Sequence, residues 1–336
     1  MRDEFKQFSD GEDEINPIFI YTLDDALTAL TDSPSHLSAA VSYGLSDVHP
    51  NDLARFQPIW DGLSVEDHQK LLAHLVDVAE ANFELDYRTL ARYTLKSSDP
   101  ASRVMSLELL WEDESLTLLD ELLHLAEADP EVEVRAAAAN QLGRFILLSE
   151  LGRFNPEEAE RAHELAIRLW NNPNEDFTVR RRALEALSNS SHDMLPDAIQ
   201  SAYRAPEVGL KASALYAMGR SCDLDWAETV IKEMKNPNPQ IRYEAVRASG
   251  ELELNDAVKL LAAEALSKDR EIQEAAIWSL GQIGTKPASR ALDALLKKFK
   301  ADDSLLELIE EALDLASFGD LAGLPGLNLT GQGLDD

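Results

Sequence analysis

Residues able to do chemistry are few and scattered in this chain. The seven histidines stand at 36, 49, 68, 74, 124, 163 and 192, without the close, regular spacing that gathers ligands around one metal ion. The one cysteine, Cys222, sits between Ser221 and Asp223. A thiol nucleophile needs a base beside it; His192 is the nearest histidine and nothing in the sequence aims it there, so an inert thiol is expected. No phosphate-binding glycine loop, dinucleotide fingerprint or Gly-x-Ser-x-Gly nucleophile elbow occurs. Catalytic residues, cofactors and metals are therefore all expected to be absent, and the chain is read as a non-enzyme.

What the sequence does contain is a repeated pattern. Each unit reads apolar, Arg-like, two variable residues, Ala or Ser, apolar, two more variable residues, then an apolar residue and usually Gly. It is plainest in Ile241-Arg242-Tyr243-Glu244-Ala245-Val246-Arg247-Ala248-Ser249-Gly250 and in Ile272 to Gly281. The Arg-like anchors fall at Arg103, Arg135, Arg180, Lys211, Arg242 and Gln273, giving steps of 32, 45, 31, 31 and 31. A further step lands in Leu305-Leu306, a degenerate last repeat, as expected for a terminal unit with one face in water. Before each anchor lies a Pro- or Asp-containing break, such as Asp99-Pro100 or Asn236-Pro237-Asn238-Pro239, preceded by apolar residues at helical spacing. Each unit thus predicts two helices: the break caps the second, small residues such as Ala138, Ala245 and Ala276 allow close packing, and the final Gly stops it. Neither helix can bury its face alone, so neighbouring units must stack.

These repeats resemble HEAT repeats, in particular the short bacterial variety found also in phycobilin lyases and deoxyhypusine hydroxylases. The resemblance implies an all-α fold: an α-α superhelix of about seven helical hairpins with an N-terminal helical cap. The expected divisions are a flexible acidic N-terminus (1–16), the cap (17–84), the solenoid (85–316) with an enlarged repeat near 130–190, and a flexible, glycine-rich C-terminal tail (317–336). The hydroxylases hold two irons through His-Glu pairs at the starts of second helices. Here those positions carry Tyr243-Glu244, Ala136-Ala137, Arg181-Arg182, Ala212-Ser213 and Glu274-Ala275, while the one His-Glu pair, His163-Glu164, falls on a first helix. Di-iron hydroxylation is not expected. A phycobilin-lyase-like or other HEAT-repeat enzyme remains the alternative to a scaffold.

Bulk composition narrows the partners. The formal net charge is −31, which opposes nucleic acid and anionic lipid. No apolar stretch approaches the roughly 20 residues of a membrane span. A lone cysteine and the acidic opening Met1-Arg2-Asp3-Glu4 fit a cytoplasmic protein. The expected partner is another protein or a peptide segment. In a HEAT solenoid the second helices line the inner face. Aligning them brings Tyr216, Arg220, Tyr243, Arg247 and Trp278 together, with Arg181 from a helix start. Aromatic residues and arginine dominate binding hot spots, and this patch reads as a local reversal of charge sign able to grip an acidic or extended segment. The recurring anchors read instead as a structural ladder to the neighbouring repeat.

Overall fold

The computed structural model describes residues 21–322, and among these every regular element is a helix. No described helix is long and apolar enough to cross a membrane. The expected acidic N-terminus and most of the expected tail lie outside the described residues. The chain divides into two compact units, one ending at Glu112 and the other beginning at Asp113.

The first unit contains α1 (Leu23–Asp32), α2 (Ala39–Gly44), α3 (Leu53–Gly62), α4 (Val65–Ala81), α5 (Arg88–Thr94) and α6 (Pro100–Leu109). Several of its helices begin at side-chain caps. Thr22 and Asp25 form a reciprocal capping box that satisfies two free N–H groups. Ser64 accepts from the Asp67 amide to start α4, and His49 caps the 3-10 turn that leads into α3. Leu30, Val41, Leu45, Phe56, Leu72 and Leu107 are buried completely or nearly so.

The second unit is a stack of hairpins: α7 (Leu116–Ala128) with α8 (Val132–Glu150), α9 (Pro156–Asn171) with α10 (Phe177–Leu187), α11 (Leu195–Arg204) with α12 (Val208–Arg220), α13 (Ala227–Glu233) with α14 (Pro239–Glu251), α15 (Val258–Glu264) with α16 (Arg270–Ile283), and α17 (Lys286–Lys298) with α18 (Asp303–Ala322). With the α5–α6 hairpin these make the seven expected. The long α8 and α9 are the enlarged repeat. The last helix runs to Ala322, beyond the expected tail boundary at 317. Successive second helices pack directly on one another along the whole series from α8 to α18.

The glycines that end the sequence motif do not stop helices. Gly143, Gly219, Gly250 and Gly281 lie inside α8, α12, α14 and α16, each against the backbone of the next second helix. A Cβ on Gly219 would lie 2.8 Å from the Ala248 Cα, one on Gly250 2.7 Å from the Ser279 Cα, and one on Gly281 2.9 Å from the Ala312 Cα. The partners Ala248 and Ser279 are 31 residues apart, but the third is Ala312 rather than residue 310. The final repeat is therefore two residues longer than its neighbours. The turn out of the helix comes later. Cys222, Glu253 and Gly284, each eleven residues after an anchor, adopt left-handed backbone with φ of 54°, 51° and 59°. Only the third carries the residue best suited to it.

The anchors cap the first helix of their own hairpin. The carbonyls at a helix C-terminus lack intrahelical partners and carry partial negative charge, so a cationic donor there is favourable. Arg103 donates to the Ser97 and Ser98 carbonyls at 3.0 and 3.2 Å, Arg135 to Asp129 at 2.8 Å, Arg180 to Trp170 at 3.1 Å and Arg242 to Asn236 at 2.9 Å. Gln273 does the same to Ala265 at 3.0 Å. The link to the neighbouring repeat is also present, through carboxylates: Arg135 reaches Glu175 at 2.9 Å, Lys211 reaches Glu233 at 3.1 Å and Arg242 reaches Glu264 at 3.6 Å.

Two expectations follow for thermal unfolding. Gly250→Ala forces α14 and α16 apart and lowers stability by roughly 1–3 kcal/mol, whereas Gly62→Ala, which meets open space, changes it little. Glu253→Gly relieves left-handed strain and raises stability by about 1 kcal/mol; a lower Tm for this variant would refute the strain assignment.

Candidate functional site

The repeat register brings residues from four second helices around one open cavity of about 440 Å³. Helix α8 contributes Asn140. The start of α10 contributes Arg181 and Arg182, with Glu185 one turn on, and α12 contributes Tyr216. Helix α14 forms the longest wall through Gln240, Tyr243, Glu244, Arg247 and Glu251. Helical periodicity explains the set, because positions 240, 244, 247 and 251 lie on one face.

Four of the six residues expected from sequence line this cavity: Arg181, Tyr216, Tyr243 and Arg247. Trp278 stands behind them, with the Arg247 guanidinium carbon 3.7 Å from its ring centroid, an arrangement that holds the guanidinium flat. Arg220 is not part of the lining; its guanidinium donates to the Asn189 Oδ1 at 2.9 Å. The expected reversal of charge sign is not what forms. Three arginines in the lining face three carboxylates, Glu185, Glu244 and Glu251, so the cavity is of mixed charge. Glu185 and Glu251 stand in the same sequence columns as Arg247 and Arg220. Glu244 was legible only as the partner of Tyr243 in a dipeptide lacking histidine.

The three carboxylates have different surroundings. Glu185 is buried and satisfied: it accepts from Arg181 at 3.1 Å and Arg182 at 2.6 Å, and from the Ser213 hydroxyl. Glu251 lies 4.0 Å from Arg247, and burial holds its carboxyl above the usual range. Glu244 accepts no hydrogen bond and makes no ion pair among the described residues. Burial, then the negative charge of Glu185, pushes its pKa from 4.5 to about 7, against the opposing pull of Arg247. The hydroxyls of Tyr216 and Tyr243 and the N–H groups of Arg247 likewise make no hydrogen bond among the described residues. Burial raises the Tyr216 phenol, which keeps it a donor. The cavity thus offers two phenols and a carboxyl without internal hydrogen bonds, beside the Arg247 guanidinium laid flat on Trp278.

Other candidate chemistry is sparse. No group of three or more His, Cys, Asp or Glu that could hold a metal ion occurs among the described residues. His163 and His192, 29 residues apart in sequence, meet edge to face at 4.9 Å, and the His163 Nε2 lies 3.1 Å from the Ser190 hydroxyl. Burial, then the neighbouring His192, lowers the His163 pKa. Cys222 is exposed, and its thiol lies 3.7 Å from the Arg220 carbonyl.

Residues 227–314, which span α13 to α18, match the family model for HEAT repeats. This segment of the chain carries HEAT repeats. Among curated proteins, none matches the chain. Solved structures similar to it include YibA of Escherichia coli, 16% identical over 73% of this chain and 96% of that one, with a TM-score of 0.41. The complex of CpcE and CpcF of phycocyanin lyase from Nostoc sp. PCC7120 is 19% identical, covering 68% of this chain and 93% of that one at a TM-score of 0.45. Human deoxyhypusine hydroxylase is 13% identical, covering 87% and 99% at 0.36. The HEAT motif accounts for the anchors and the close helix contacts.

Glu244 gives the site a measurable signature. A carboxyl whose folded-state pKa is raised favours folding in its protonated form, and that contribution is lost as pH rises from about 4.5 to about 7. Glu244→Gln removes this dependence. The variant is expected to be more stable than wild type by up to about 3 kcal/mol above pH 7, with the difference vanishing near pH 4. Denaturant unfolding of both proteins across this range checks it; equal stability at all pH values would contradict a buried, uncompensated Glu244.

Proposed function

We propose that this HEAT-repeat chain is a non-catalytic scaffold that holds an extended segment of another protein against second helices α10, α12 and α14, with a cytoplasmic setting in keeping with its single cysteine. The observation that carries this reading is the contrast in bonding. The framework side chains of the unit are engaged: the anchors Arg135, Arg180 and Arg242 all make bonds within or between repeats. In the cavity, the Tyr216 and Tyr243 hydroxyls and the Glu244 carboxyl have no hydrogen-bond partner among the described residues. Polar groups that line an open cavity without internal partners are available to a ligand with no internal bond to break first. A peptide backbone in extended form supplies carbonyl acceptors for guanidinium and phenol donors and N–H donors for a carboxyl. The net charge of −31 argues against nucleic acid and anionic membrane surfaces as the target.

The test is retention of partners by immobilised protein from its native host. Tyr243→Ala combined with Arg247→Ala is expected to lose proteins that the wild type retains, while its thermal midpoint stays within a few degrees of wild type because neither side chain caps a helix. If the variant melts early yet keeps every wild-type partner, these residues only support the stack and the scaffold reading of this face fails.

A further inference from the structure

We infer that the cavity of α10, α12 and α14 selects a lysine or arginine side chain of the bound segment, which seats at Glu244 between Tyr216 and Tyr243. The inference rests on the scaffold reading above and names the chemistry that face would recognise.

The lining separates the charged groups into those already committed and those not. Arg181 and Arg182 both close on Glu185. Arg220 is held by Asn189, and Arg247 lies face-on to Trp278 with Glu251 at 4.0 Å. Around Glu244, therefore, α10 presents Glu185 paired with its two arginines, α12 presents the Tyr216 phenol and Arg220, α14 itself presents Tyr243, Arg247 and Glu251, and α16 presents Trp278 behind Arg247. None of these cations bonds the Glu244 carboxylate. An incoming ammonium or guanidinium supplies the missing counter-charge, while the aromatic faces of Tyr216 and Tyr243 favour a cation beside them. The backbone carbonyls next to such a residue would accept from the Arg247 edge and the two phenols.

Two further observations agree. Burial and the charge of Glu185 push the Glu244 pKa up to about 7, so below that pH an arriving cation displaces a proton, and affinity is expected to rise with pH between about 6 and 8. At longer range, the excess of 62 acidic over 31 basic residues steers a basic segment toward the protein and repels an acidic one.

The test uses short random peptides displayed on phage and selected against the full chain, followed by binding measurements with the enriched peptides. Peptides carrying Lys or Arg are expected to dominate. Their affinity should fall about tenfold in Glu244→Gln, the loss expected of one charge-assisted bond. It should change little in Glu271→Gln, which removes the same charge from an exposed site on α16. Peptides that lose binding in Tyr216→Ala with Tyr243→Ala, yet contain no basic residue or are indifferent to Glu244→Gln, would overturn the cationic specificity and leave the scaffold reading standing. Selection that yields no peptide dependent on the cavity overturns both.

Discussion

The backbone-to-backbone approach of consecutive second helices is the constraint from which the rest of the second unit follows. At Gly219, Gly250 and Gly281 a missing side chain lets one helix lie against the Cα of Ala248, Ser279 or Ala312 in the next. Contacts this close fix both the separation and the rotation of neighbouring hairpins, because interiors at crystal-like packing density have no slack to absorb an extra methyl group. They also fix which residues meet across hairpins. Tyr216 on α12 stands beside Tyr243 and Arg247 on α14 only because the glycine contact sets the register between those helices.

The anchors do a second job on the same frame. All but Lys211 satisfy a carbonyl left open where their own first helix ends, and several reach a carboxylate of the following hairpin. Stability is thereby distributed as a sum of local terms and nearest-neighbour terms, the general form for repeat arrays. The cavity is the place where this economy lapses. Its donors and acceptors are directed at one another only in part, and a buried carboxyl there is held against its preferred charge state.

Much of the fold was legible in the sequence because its signals are local. The anchor spacing, the Asp99-Pro100 and Asn238-Pro239 starts and the Thr22 capping box each depend on residues within a few positions of one another. The motif glycines were misread for the opposite reason. A glycine that ends a helix and one that admits a neighbour look alike until the neighbour is placed. The same holds at the site. The columns of the repeat located Arg181, Tyr216, Tyr243 and Arg247, but whether an arginine is free or paired depends on another hairpin, so Arg220 was overvalued and Glu244 overlooked. The meeting of His163 and His192 was hidden by the lengthened α8 and α9, where the regular step no longer applies.

The cavity draws on four hairpins whose contributions run from Asn140 to Glu251. A stack of hairpins is joined in series, each bound to its neighbours alone. A segment bonded at once to α10, α12 and α14 would act as a strut across two of those joints. Occupancy and stiffness would then be two readings of one quantity, and tension applied to the array would loosen whatever it holds.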